Sequence, residues 1–252
     1  MKAFVIGLED KQSSYQGATQ GVEQLRQFGI NAEFYPGTPG DQAVTMAAKG
    51  RKTLYPYGIK SKKLTAEDLK KYVRPELYNE FIESHYWTIM ERSKVDLADI
   101  GKLSRPGVIG CFYSHYNLWE KCVELNESIM IFEDDVKFYR GYMPVDFEGV
   151  LILSLGKTAF LNPPFNTYLN NPVGNPQALT WKNFSMPGTS GYAIMPSAAA
   201  GLVKKYRPYW CPSDNAINQS VCKIQIHNYL MGRHTLPDEG NISLTKAKDW
   251  NK

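Results

Sequence analysis

Residues 128–138 read SIMIFEDDVKF: four apolar residues, Ile129 to Phe132, run straight into Glu133, Asp134 and Asp135. A short apolar run bounded by polar residues predicts a fully buried strand. Carboxylates in close quarters repel, and burial makes their charged form costlier still. A divalent cation is the usual offset. Side chains alternate along a strand, so Glu133 and Asp135 point one way and Asp134 the other. Hard oxygen ligands on a short loop suit Mn2+ or Mg2+, ions that keep several waters or take substrate phosphates as further ligands. The plain alternative is a solvated acidic turn.

The surrounding chain predicts an α/β fold with a mostly parallel sheet. KAFVIGL is a buried strand, EDKQSSYQG a polar loop, Ala18 to Phe28 an amphipathic helix, and GINAEFYPG a second strand. That β-loop-α-β opening puts a functional loop at the carboxyl end of the first strand. GCFYSHYNLWEKCVELN predicts a mostly buried helix, with Phe112, Tyr116, Trp119 and Val123 in one stripe and Cys111, His115, Leu118 and Cys122 widening it. GVLILSLG and SGYAIMP are strands, SAAAGLVKKY is a helix, and CKIQIHNYL alternates Ile224 and Ile226 against Gln225, His227 and Tyr229. Residues 41–104 read as a helical insertion, 161–187 as an Asn- and Pro-rich loop, and 237–252 as a polar tail. We expect one domain over residues 1–252.

The 252 residues are 43% hydrophobic, enough for a sizeable core, and the net charge of +4 is spread too thinly to suggest duplex nucleic acid as a partner. No apolar run approaches the length of a membrane span, which leaves a soluble chain or one in peripheral membrane contact. Cys111, Cys122, Cys211 and Cys222 form no CxxC pair, and MKAFVIGLED does not read as a signal peptide. The expectation is a cytoplasmic chain with reduced thiols.

The segment RPGVIGCFYSHYNLWEKCVELNESIMIFEDDV resembles the signature of glycosyltransferase family 25, which includes the lipooligosaccharide and collagen β-galactosyltransferases. In that family a GE-x-GC-x-x-SH helix runs into an apolar strand ending in EDD; the matching residues here are Gly110, Cys111, Ser114, His115, Trp119 and Glu133 to Asp135. KAFVIGL, FGINAEFYPGTPG, GVLILSLG, GTSGYAIMPSAAAGL and YWCPSDNAI resemble further family segments in the same order. In place of the family's Asn and Arg after the opening strand, this chain has GLEDKQSSYQG.

The resemblance implies a GT-A-type, Rossmann-like fold binding a nucleotide sugar, with Mn2+ (or Mg2+) held against the donor diphosphate. It implies an inverting transfer of a hexose, galactose or glucose, from a UDP-sugar to a glycan or glycoprotein acceptor. On this reading Glu133 and Asp135 are metal ligands, and Asp134 contacts ribose or supports the ligands from behind. Leu8 and Glu9, after the opening strand, and Ser114 with His115 lie near the donor; His115 also reads as a hydrogen-bonded core histidine. A late-strand histidine joins the metal, His227 first and His234 as the alternative. Asp214 in PSDN is the candidate base, or a helix cap, or both. Phe165, Tyr168, Trp181 and Phe184 offer rings for an acceptor sugar or for packing. Two other readings stay open: a metal-dependent phosphohydrolase, and a non-catalytic domain that binds nucleotide sugars.

Overall fold

The computed structural model describes residues 1–43, 52–53, 106–156, 174–182, 186, 188–207 and 209–235. Its elements, in chain order, are β1 (Lys2–Gly7), α1 (Gln12–Gln27), β2 (Ala32–Pro36), β3 (Lys52–Thr53), α2 (Pro106–Leu125), β4 (Ile129–Glu133) and β5 (Val136–Phe138). Then follow β6 (Val150–Leu155), β7 (Ala178–Thr180), β8 (Gly191–Ile194), α3 (Pro196–Tyr206), β9 (Tyr209–Trp210), α4 (Ser213–Ala216), β10 (Ile224–His227) and β11 (Gly232–His234).

The fold is α/β, a mixed and mostly parallel sheet flanked by helices. The main path runs β2-β1-β4-β8-β6-β10-β7, with β11 on β6 and β5 on β11. Strands β2, β1 and β4 are parallel, and β10 and β11 run parallel to β6. Strand β8 is antiparallel between β4 and β6; β7 and β5 are antiparallel to their partners.

Strand alternation divides the core between the two faces. Phe4, Ile6, Ile129 and Ile131 pack with Phe112, Tyr116, Trp119 and Leu202 of α2 and α3, while Ala3, Val5, Met130 and Phe132 pack with Ala18, Val22 and Leu25 of α1. The β1–β4 half is thus apolar on both faces, as a parallel sheet covered by helices must be. The broad stripe of α2 is buried through Phe112, His115, Tyr116, Leu118, Trp119 and Cys122, whereas Val123 stays 40% exposed. None of the described helices is long and apolar enough to cross a membrane.

Three boundaries differ from the sequence expectation. Helix α1 begins at Gln12, inside the segment expected as a polar loop. Its first turns bury Ser14 and lay Gly17 on the Asp134 carbonyl, so their inner face is polar or small and gives no apolar period. Residues 52–53 of the expected helical insertion form a strand paired with β9; residues 41–43 are helical, and 44–51 and 54–104 lie outside the described residues. The loop expected at 161–187 contains β7, an edge strand on β10. The tail from 236 onward also lies outside the described residues.

Candidate active site

The chain leaves β1 for α1 on one face of the sheet, whereas α2, on the other face, delivers it into β4. The carboxyl ends of β1 and β4 therefore flank the point where the connections diverge, the usual place for a ligand crevice in an open α/β sheet. Ile6 pairs with Glu133 at that edge. Antiparallel β8 brings its amino end there as well, and the Glu133 N–H donates to the Ser190 carbonyl at 3.0 Å.

Glu133 is the centre of the cluster. Its Oε1 lies 2.6 Å from the donating Thr189 hydroxyl, 3.2 Å from His115 Nε2 and 3.7 Å from Cys111 Sγ. Ser213 Oγ lies 2.9 Å from Thr189 Oγ1 and 3.3 Å from Cys111 Sγ, closing a ring of hydroxyl, thiol and carboxylate groups. Burial acts to raise the Glu133 pKa, but the hydrogen bonds from His115 and Thr189, with the charge of His234, outweigh it, and the carboxyl is held below its usual value. Burial, helped by the charge of Glu133, pushes the Cys111 thiol well up, so this sulfur is a thiol and not a ready nucleophile.

Asp134 and Asp135 lie in the turn that follows β4. Asp134 is hydrogen-bonded to Ser14 on the α1 side, and burial with the charge of Asp135 raises its pKa to about 7. Asp135 faces His234, whose Nε2 lies 2.6 Å from Oδ2. Burial acts to lower the His234 pKa, but the bond and charge of Asp135 lift it to about 9, and the proton of the pair rests on the histidine. Burial also raises Asp135. Its second oxygen, Oδ1, is buried with no hydrogen-bond partner among the described residues.

The other residues singled out in the sequence are placed as follows. Asp214 is in the first turn of α4, where Pro212, not Asp214, holds the capping position. The Asp214 carboxylate accepts from the Asn215 N–H at 3.0 Å, and burial plus the charge of Glu133 raise its pKa to about 6. His227 is not brought to the carboxylates: Nε2 meets the Met143 carbonyl at 2.8 Å and Nδ1 accepts from the Tyr229 N–H at 2.9 Å. His234, reached through β11, stands beside Asp135 instead. Ser114 Oγ accepts from the Thr38 N–H and donates to the Gly110 carbonyl, fastening the segment after β2 to α2. The Leu8 N–H is held by Ser14 Oγ at 2.8 Å, and Glu9 is exposed at the turn after β1. Trp181 is buried in the core, 3% exposed, so its ring is closed to an acceptor; Phe165, Tyr168 and Phe184 lie outside the described residues. Thr189 and Tyr192 entered the sequence reading only as letters in GTSGYAIMP. Nothing in their local pattern marks them as partners of Glu133 and His115.

These donors fit a hard divalent cation. Asp135 Oδ1 is a buried carboxylate oxygen with no partner among the described residues, and Glu133 makes the contacts above through Oε1 while its side chain stays 23% exposed. Cys111, His115 and Glu133 also bring ligand atoms within 4.8 Å of one another. Both nitrogens of that histidine are already bonded, however, which leaves the carboxylate oxygens of Glu133 and Asp135, whose charges act on one another, as the donors. Oxygen donors favour Mn2+ or Mg2+ over softer ions.

Comparison with known proteins gives the family. Residues 1–146 match the family described as Glycosyltransferase family 25 (LPS biosynthesis protein). Two curated relatives, each called "Glycosyltransferase 25 family member", come from Anopheles gambiae and Aedes aegypti; both are 54% identical over 33 residues, or 13% of this chain. The aligned stretch spans 6% and 5% of those two proteins. With a family match across more than half its length, running through the β4 carboxylates, the chain belongs to glycosyltransferase family 25.

Proposed function

We propose that this chain is a metal-dependent, inverting glycosyltransferase that moves a hexose, galactose or glucose, from a UDP-sugar to a glycan or protein acceptor. The observation that carries the reading is the Glu133–Asp135 pair at the divergence point of the sheet, with Asp135 Oδ1 buried and unpartnered among the described residues. Glu133 and Asp135 would hold Mn2+ (or Mg2+), which when bound neutralises charge on the departing diphosphate. His234 orients Asp135 through Oδ2, and Asp134, on the α1 side, is left for the ribose.

In an inverting transfer the acceptor oxygen bonds to the anomeric carbon from the face opposite the diphosphate. The C–O bond to the diphosphate breaks and its electron pair leaves with the nucleotide. The acceptor's proton passes to a base, for which Asp214 is the candidate. A carboxylate with a pKa of about 6 is ionised at neutral pH yet basic enough to accept that proton. The family description mentions LPS biosynthesis, which makes a lipopolysaccharide-type glycan the first acceptor to try.

The test is release of nucleotide from a panel of UDP- and GDP-sugars, with Mn2+ or with EDTA, since slow donor hydrolysis reveals the donor without a known acceptor. Mn2+-dependent UDP release from one hexose donor is the expected result. Metal-independent release, or none from any donor, would overturn the reading, and phosphate release from nucleotides would favour a hydrolase.

A further inference from the structure

Behind Glu133, away from the donor side, runs a chain of hydrogen bonds that a buried packing cluster does not need. Trp119 Nε1 lies 2.8 Å from the Tyr192 hydroxyl, that hydroxyl lies 2.9 Å from His115 Nδ1, and His115 Nε2 lies 3.2 Å from Glu133 Oε1. Trp119, Tyr192 and His115 are all 0% exposed. The His115 and Tyr192 rings are stacked, 5.7 Å between centroids and 24° between planes, which restricts rotation of the imidazole.

Only one distribution of protons satisfies every member. An indole N–H can only donate, so the Tyr192 oxygen accepts from Trp119. The hydroxyl then has a single proton to give, and His115 Nδ1 takes it. A neutral imidazole has one proton, which must be on Nε2, where it donates to Glu133. In the other tautomer a lone pair would face the carboxylate, and the Tyr192 proton would lose its acceptor among fully buried groups.

We propose that Tyr192 and Trp119 are positioning residues: they fix His115 as the Nε2–H tautomer, which with Thr189 pins Glu133 by Oε1 and leaves its other oxygen for the metal–diphosphate ligand. The metal-binding half of this statement rests on the function proposed above; the tautomer half does not. His115 is one bond removed from the proposed ligand Glu133, the place where losing a partner typically changes metal affinity 10–100-fold, and Tyr192 acts through it.

The test uses the full chain with 15N-labelled histidine, Tyr192→Phe, His115→Gln and His115→Ala. NMR reads the His115 tautomer, calorimetry reads UDP binding with Mn2+, and thermal melts establish that each variant folds. We expect the Nε2–H tautomer in the wild type, loss of that single tautomer in Tyr192→Phe, and roughly tenfold weaker UDP–Mn2+ binding. His115→Gln, which keeps a donor near the position of Nε2, should retain more affinity than His115→Ala. A wild-type Nδ1–H tautomer, or a Tyr192→Phe protein with unchanged tautomer, overturns the relay. A changed tautomer with unchanged affinity overturns the positioning role. If the wild type binds no UDP–Mn2+, the metal reading of Glu133 fails, and the tautomer measurements still decide the relay.

Discussion

His234 Nε2 lies 2.6 Å from Asp135 Oδ2 because two strands, not neighbouring residues, bring them together. In the β5–β11 pair His234 stands opposite Val136, and the Thr235 N–H and hydroxyl both donate to the Asp135 carbonyl. Asp135 is therefore anchored by its backbone and by one oxygen, with no partner for the other oxygen among the described residues. Its removal should abolish ligand-dependent stabilisation while the fold persists. With Mn2+ present and UDP about a hundredfold above its dissociation constant, the wild type should gain roughly 2.7 kcal/mol, a shift of a few degrees in Tm. Asp135→Ala should show no shift. A variant that still responds to UDP and Mn2+ would remove Asp135 from the ligand set.

Asp214→Asn keeps the shape of the side chain and removes its basicity. If Asp214 takes the acceptor proton, kcat should fall about 10²–10⁴-fold with donor binding unchanged. In the wild type, kcat should decline as pH falls through about 6, where the carboxylate is protonated. Persistence of that acid limb in a still active Asp214→Asn enzyme would assign it to another group.

Stability should depend on pH in an unusual sense when metal is chelated. Asp134 at about 7, Asp214 at about 6 and His234 at about 9 all bind their protons more tightly folded than unfolded. A state that binds more protons when folded loses stability as pH rises, here across the interval from about 4 to about 9. Glu133, shifted downward, acts in the opposite sense only in the acid range below this interval. In EDTA the melting temperature should be several degrees higher near pH 5.5 than near pH 8.5. A flat or rising profile would contradict these protonation assignments.

Ser114 separates structure from ligand contact. Its hydroxyl is used by Thr38 and Gly110, so Ser114→Ala should cost roughly 1–2 kcal/mol by leaving the Thr38 N–H without its partner, with the KM for donor unchanged. Gly110→Ala should cost about 1–3 kcal/mol, since a Cβ there would lie 2.5 Å from the Thr38 carbonyl oxygen, which is backbone and cannot swing away. A large KM effect in Ser114→Ala with unaltered Tm would reverse this assignment.

What the sequence could reveal follows from the range of the forces involved. Ile129 to Phe132 announce a buried strand because burial on both faces demands unbroken apolar residues, and α2 announces itself by its stripe. Alternation also separates Asp134 from its neighbours, and in the structure Asp134 is on Ser14 while the charge of His234 acts on both Glu133 and Asp135. The choice between His227 and His234 could not be made that way. Both stand on late strands, and only the long-range pairing of β11 with β5 brings one of them to the acids. The start of α1 was hidden because its inner face meets backbone through Gly17 and Ser14 rather than meeting an apolar core. Thr189 and Tyr192 converge on Glu133 and His115 from separate elements, with Ser213 behind them on Thr189 and Cys111, a coincidence that no local spacing encodes.

Helix α2 has a final consequence for how this chain can change. Gly110 and Ser114 grip the backbone after β2, while Cys111 and His115 grip Glu133. The two grips are fixed to one rigid rod, offset by a single residue, so the angle between them is set by the helix itself. Substitutions elsewhere on that rod can be absorbed one side chain at a time. A single inserted or deleted residue between Gly110 and His115 cannot, because it turns one end against the other by about 100°. Both loops would then be released at once. This segment can drift in letters but not in length.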